Sequence, residues 1–209
     1  SVPVIVVGNI TVGGTGKTPI TLFLADWFHD KGKKVGIISR GYKGEKTREQ
    51  PFILSENDNA KDYGDEAVYM ARESKAMVCV CKNKTKAAEL LIDSGAELII
   101  SDDGLQHYKL ARDHEIVVID STRLLGNGYY LPAGPLRESS DRLNSVDLIL
   151  INGGKDEEQN LFLGSAPTLN FNIQNEYLVD LNTGQKSKLK DFRGQTFKVL
   201  AGLGNPEKV

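Results

Sequence analysis

Short, unbroken apolar runs recur along the chain at Val4–Val7, Val35–Ser39, Met77–Cys81, Glu97–Ser101, Ile116–Asp120 and Asp147–Ile151. They do not alternate with polar positions. A strand with one wet face alternates, whereas a strand covered on both faces does not. Between these runs lie stretches whose apolar residues recur at helical spacing. Lys17–Lys31 carries Ile20, Leu22, Phe23, Leu24, Trp27 and Phe28 and is stopped by Gly32. Asp65–Glu73 and Lys82–Ser94 read as further helices, the second ending near Gly95. Phe52–Leu54 reads as a short extra strand. Buried strands alternating with helices predict an α/β protein, with a mostly parallel sheet and helices on both faces.

The pattern changes after Asn152-Gly153-Gly154. Lys155–Asn160 is polar, and shorter strand-like pieces follow at Thr168–Ile173, Glu176–Asp180 and Phe197–Ala201. Asn182-Thr183-Gly184 has the composition of a hairpin turn. This shift divides the chain into a core over residues 1–155 and a second part over residues 156–209. The second part reads as a β-hairpin linker, beginning near residues 155–165, and the start of a smaller C-terminal domain.

Composition narrows the function classes. The net charge of −2 and pI of about 6.0 lack the basic excess of a dedicated nucleic-acid binder. No apolar run reaches the ~20 residues that span a bilayer. Cys79 and Cys81 share one face of a strand, and no Cys/His cluster surrounds them, so they read as reduced thiols. The chain opens at Ser1 directly on a strand and stops just after another, so both ends are expected to be cut from a longer protein.

The strongest chemical signal is Thr11-Val12-Gly13-Gly14-Thr15-Gly16-Lys17-Thr18. A Walker A loop is G-x-x-x-x-G-K-[ST] between a strand and a helix. Here a strand ends at Gly8 and a helix starts near Lys17, although Thr11 stands where the first Gly belongs. Gly13, Gly14 and Gly16 let backbone N–H groups approach phosphate oxygens. Lys17 reaches the β- and γ-phosphates, and the Thr18 hydroxyl is placed for Mg²⁺. The fold class is then P-loop NTPase-like, with ATP and Mg²⁺ as cofactors.

A second metal arm is expected at the C-terminal tip of a buried strand beside this loop. Asp102 and Asp103 close the run Glu97–Ser101 and are followed by Gly104. Either acid suits Mg²⁺, held directly or through water. His107 follows closely and is placed to orient a carboxylate or a phosphate.

Taken together these segments resemble the tetraacyldisaccharide 4′-kinase family of lipid A synthesis. The resemblance rests on six ordered blocks: Val7–Pro19, with a hydroxyl residue in place of the first Gly; Ser39-Arg40-Gly41-Tyr42; Gly64-Asp65-Glu66; Asp102–His107; Leu131–Glu138, which is the most distinctive; and Ala201–Glu207. The first block holds both the strand end and the phosphate loop. The resemblance implies transfer of the γ-phosphate of ATP to the 4′-hydroxyl of a tetraacylated glucosamine disaccharide 1-phosphate. It also implies work at the cytoplasmic face of the bacterial inner membrane, by a monomer with no nucleic-acid partner.

The resemblance assigns roles to individual residues. Lys17 and residues Thr11–Thr18 would hold the phosphates. Thr18 with Asp102 or Asp103 would hold Mg²⁺. Asp65 would accept the proton of the attacking hydroxyl, although from the residues alone it reads as an acid opening a helix. Arg137 and Glu138 sit where the family has a lid over the nucleotide, and Arg137 would neutralise charge on the transferring group. Asn9, Arg40, Tyr42 and His107 are expected to face the acceptor. The family's N-terminal membrane-associated helix precedes the first strand. Its C-terminal His, the partner of the catalytic Asp, is not matched by His29, His107 or His114. Lys31, Lys33, Lys34, Lys43, Lys46 and Arg48 would face anionic headgroups or form a solvated surface.

Two other P-loop classes share the loop. A switch or partitioning ATPase is one, but Asn152-Gly153-Gly154-Lys155-Asp156 lacks the spacing of a guanine-reading Asn-Lys-x-Asp. A dethiobiotin-synthetase-like ligase is the other, and it is not expected to carry Leu-Pro-Ala-Gly-Pro-Leu-Arg-Glu.

Overall fold

The computed structural model describes residues 1–46, 49–153, 163–174 and 177–198. Eight strands form one sheet: β1 (Val4–Gly8), β2 (Val35–Ser39), β3 (Phe52–Ile53), β4 (Met77–Val80), β5 (Leu98–Asp102), β6 (His114–Asp120), β7 (Leu148–Asn152) and β8 (Thr168–Phe171). Their order is β3-β4-β2-β5-β1-β6-β7-β8. All neighbours run parallel except β3, which lies antiparallel to β4 at the edge. Four helices are interspersed: α1 (Lys17–Asp30), α2 (Ala60–Tyr63), α3 (Asp65–Glu73) and α4 (Lys84–Asp93).

The unbroken apolar runs are explained by two cores, one on each face of the sheet. Val4 and Val6 of β1 pack with Ile99, Val117 and Ile149 under α4. Ile5 and Val7 pack with Ile37, Ile100 and Val118 under α1 and α3. Successive residues of each strand therefore enter opposite cores, so neither face can be polar.

β1 sits centrally. Its partners β5 and β6 both come from much later in the chain, so the connections diverge to opposite sides of it. In an open parallel sheet such a switch point leaves a crevice beyond the carboxyl ends of the strands. The phosphate loop leaves β1 at that end.

Two elements depart from the sequence reading. Residues Thr168–Phe171, assigned above to the segment after the core, form β8 and pair with β7 in parallel, so the main sheet extends past residue 155. This strand is four residues long and half exposed at the sheet edge, so its polar Asn170 mimics a hairpin piece. Helix α2 has only four residues, too few for periodicity to reveal. The hairpin around Asn182-Thr183-Gly184 is present and pairs β9 (Tyr177–Val179) with β10 (Lys186–Lys188) in a separate sheet. Phe197 and Lys198, the described part of the expected strand at Phe197–Ala201, are not in a strand; residues 199–201, the block Ala201–Glu207, Arg48 and most of the expected linker lie outside the described residues. No helix among the described residues is long and apolar enough to cross a membrane.

Cys79 and Cys81 are both buried beneath α4. Burial pushes the Cys79 thiol up to about 12, so only about one thiol in ten thousand is thiolate at pH 8. A colourimetric thiol reagent at pH 8 is expected to label neither cysteine until denaturant unfolds the chain. Rapid labelling of the native protein would contradict this packing.

Candidate functional site

β1 ends at Gly8 because nothing larger fits: a Cβ there would lie 2.6 Å from Leu105 Cβ. The chain then forms a loop that closes on α1. Gly13 and Gly16 take φ values of 105° and 99°, the left-handed region in which other residues are strained. Gly16 is the N-cap of α1, where no side chain caps the helix and no acid occupies the first turn. Asn59 and Asn83, by contrast, cap α2 and α4. The first-turn N–H groups of α1 are thus left for an anion in the loop.

β5 lies alongside, with Asp102 paired in register to Val7 of β1. That register delivers Asp102 to the mouth of the loop. Asp102 is buried and accepts a hydrogen bond from Thr21 Oγ1 at 3.2 Å. Burial raises its carboxyl above the usual carboxylate range, against the pull of Lys84 and Lys17. Asp103 turns the other way, with φ of 46°. It accepts from Arg137 Nη1 at 3.0 and 3.1 Å and lies 3.5 Å from Lys17 Nζ. Burial opposes ionisation of Asp103 too, but Lys17 and Arg137 outweigh it and hold the carboxyl below its ordinary value. Two adjacent acids therefore occupy different environments.

Two distant motifs meet across the cleft through glycines. A Cβ on Gly64 would lie 2.5 Å from Tyr42 O, and one on Gly41 would lie 2.8 Å from Tyr63 O. Ser39–Tyr42 and Gly64–Glu66 are therefore locked edge to edge. The result is an open cleft of about 900 Å³, within the range of small-ligand sites. Val12 to Thr18 form one wall, and Ser39, Arg40, Tyr42, Glu66, Lys82, Lys84, Asp102, Asp103, Gln106, His107 and Arg137 form the rest. The cations Lys17, Arg40, Lys82, Lys84 and Arg137 outnumber the carboxylates Glu66, Asp102 and Asp103. Such a lining attracts a polyanion.

Most of the expected site residues meet here, but four do not line the cleft. Asn9 is fully buried inside the loop, with Nδ2 donating to Gly13 O at 3.5 Å and Thr15 Oγ1 at 3.4 Å. It braces the loop and does not line the cleft. Thr11 is buried behind the loop, bridged to Leu136. Glu138 turns away, accepting from Tyr108 Oη at 2.5 Å and lying 3.6 Å from Arg142 Nε. Asp65 is exposed at the start of α3, and its Oδ1 accepts from the Glu66 N–H at 3.0 Å.

Lys84 went unnoticed in the sequence, and Glu66, though part of the Gly64-Asp65-Glu66 block, was given no role. Lys84 is buried, and its ammonium donates to the Asp102 carbonyl. Burial pulls that ammonium down to about 8, opposed by Asp102 and Asp103. At the start of a helix Lys84 reads as a solvated cation, and only the packing of α4 beside β5 reveals it. Glu66 lines the cleft where Asp65 does not. Its carboxyl is raised by burial and then by repulsion from Asp102. Two carboxylates that resist ionising together, near the Thr18 hydroxyl, are relieved by a hard cation, and oxygen donors of this kind fit Mg²⁺. Among the described residues no three His, Cys, Asp or Glu gather around one point. Magnesium usually keeps waters and phosphate oxygens in its shell, so two carboxylates and a hydroxyl suffice.

The family model for LpxK, tetraacyldisaccharide-1-P 4′-kinase, matches residues 1–209. The chain belongs to the LpxK family. The tetraacyldisaccharide 4′-kinase of Haemophilus influenzae is 44% identical over 207 residues, covering 99% of this chain. That of Histophilus somni is 45% identical over 208 residues, again covering 99%. The crystal structure of LpxK from Aquifex aeolicus in complex with ATP matches with a TM-score of 0.73 and 31% identity over 93% of this chain. The chain spans 59%, 60% and 61% of these three proteins respectively. Membership of the LpxK family displaces the partitioning-ATPase and ligase readings. The P-loop NTPase-like sheet expected from the sequence is the architecture shared with the Aquifex LpxK.

Proposed function

We propose that the protein is an ATP-dependent lipid kinase of the LpxK type. It would transfer the γ-phosphate to the 4′-hydroxyl of a tetraacyldisaccharide 1-phosphate, giving lipid IVA. The observation that carries this reading is the uncapped, glycine-built N-terminus of α1 facing Asp102 across a cation-rich cleft, in a chain of this family.

Each residue then has a role. The loop amides and Lys17 bind the phosphates and fix the γ-phosphorus. Thr18, Asp102 and Glu66 would supply oxygen ligands for Mg²⁺, which when bound would neutralise phosphate charge. Asp103 is salt-bridged on both sides and orients Lys17 and Arg137. Arg137 stands ready to offset charge on the transferring group. The acceptor enters past Arg40, Tyr42 and His107. Asp65 takes the proton of its hydroxyl. That role requires the carboxylate to release its hold on the Glu66 amide and rotate toward the cleft. A lipid acceptor places the enzyme at a membrane surface, the cytoplasmic face of the inner membrane. The proposed working unit is a monomer.

ADP release by the full-length enzyme in detergent is expected to depend on the disaccharide acceptor. Equal ATP turnover with and without acceptor would overturn the kinase reading.

A further inference from the structure

The phosphate loop is held from behind by side chains from three strand ends. Asn9, just past β1, donates to Gly13 O at 3.5 Å. Arg123, in the turn after β6, donates from Nη2 to Gly14 O at 2.7 Å. Asn152, the last residue of β7, donates from Nδ2 to Thr15 O at 3.1 Å. Three consecutive carbonyls are thereby fixed away from the cleft, toward side chains that do not line it. In a trans peptide the C=O and the following N–H point in opposite directions. Holding the carbonyls of Gly13, Gly14 and Thr15 outward therefore turns the N–H groups of Gly14, Thr15 and Gly16 inward. Among the described residues those three amides have no acceptor.

The loop's glycines carry the same signature. A Cβ on Gly13 would lie 2.6 Å from Arg123 Nη1, and one on Gly16 would lie 2.8 Å from Asn152 Nδ2. A Cβ on Gly14 would meet nothing within 4 Å. Gly13 and Gly16 make room for the two clamping side chains, while Gly14 faces open space. The clamps come from residues 123 and 152, far along the chain, and the sheet order β1-β6-β7 brings them to the loop.

We infer that Arg123 and Asn152 are positioning residues that preset the loop amides for the β-phosphate, acting through the Gly14 and Thr15 carbonyls. This rests on the phosphate-binding reading of the loop. Without the clamps, the Gly13–Thr15 peptides rotate freely, and the nucleotide must order them on binding. The cost falls on ground state and transition state alike, so it appears in KM for ATP and not in kcat.

The test uses the full-length enzyme with ATP and the disaccharide acceptor. Arg123→Gln is expected to raise KM for ATP about tenfold, with kcat changed less than about threefold, as loss of a charged hydrogen bond implies. Asn152→Ala is expected to do the same to a smaller degree. Arg123→Lys keeps the charge and one donor and is expected to recover part of the affinity. The melting temperature of Arg123→Gln should stay near that of the wild type, since its bond to Gly14 is exposed, while Asn152→Ala, which removes a buried bond, should melt only a few degrees lower. Unchanged KM in both Arg123→Gln and Asn152→Ala would overturn the clamp while leaving the kinase reading intact. So would loss of the fold in both, because the contacts would then belong to the core. A wild-type enzyme that binds no ATP would instead overturn the function itself.

Discussion

Lys17→Ala is expected to lower phosphoryl transfer by about 10³-fold, the scale of removing a principal charge-stabilising group from a phosphoryl-transfer site. Lys17 is the only loop side chain that can follow the γ-phosphate as charge shifts during transfer. Its ammonium lies 3.5 Å from Asp103, and its side chain is 13% exposed, so it is already poised at the cleft wall. Arg137 remains bonded to Asp103 in the variant and keeps that acid paired. The fold should therefore tolerate the change, since a partly exposed ion pair contributes about 1 kcal/mol or less. Steady-state transfer and a melting curve on the same sample check both halves. Activity within about tenfold of the wild type would remove Lys17 from the transition state.

Asp65→Ala carries the second large effect. The proposed role of general base is worth about 10²- to 10⁴-fold of rate, so transfer should fall by that factor. ATP affinity should hold, because Asp65 stands outside the cleft lining proposed to hold the nucleotide. Stability should drop by about 1 kcal/mol or less from loss of an acid at the N-terminus of α3. The measurement is single-turnover transfer alongside ATP binding by titration calorimetry. Normal transfer would return Asp65 to the role of an acid in the first turn of α3. Glu66, the neighbour that does line the cleft, would then become the carboxylate to replace.

The parts of this site that were legible in the sequence are those built by contiguous residues. The phosphate loop, the helix it opens and the two acids closing β5 are each local patterns with a local chemical reason. Unbroken apolar runs gave the double-faced sheet for a similar reason: each strand residue has a helix or loop above it on one side or the other. The edge was harder to read. β8 is short, half exposed and partly polar, so its pairing with β7 is a tertiary fact with little trace in its own residues.

Side-chain direction was harder still. Asn9 sits in the same block as the loop, yet its amide points into the loop and does not line the cleft. Asp65 and Glu66 are adjacent at a helix start, and only the backbone geometry decides which carboxylate reaches the cleft. Glu138 follows Arg137, yet the two side chains diverge where the chain bends, so Arg137 meets Asp103 and Glu138 meets Tyr108. Lys84, Arg123 and Asn152 had no motif to announce them. Each is an ordinary polar residue at a helix or strand end until the sheet order sets it beside the phosphate loop or Asp102.

The central claim is that this cleft moves phosphate from ATP to one hydroxyl of a lipid disaccharide. The most direct measurement incubates the full-length enzyme with Mg²⁺, γ-³²P-labelled ATP and the tetraacyldisaccharide 1-phosphate in detergent, then locates the new phosphate on the recovered lipid by NMR. The account predicts a labelled lipid bearing phosphate at the 4′ position, absent with Lys17→Ala. Label appearing only as inorganic phosphate, or at another hydroxyl, would contradict it.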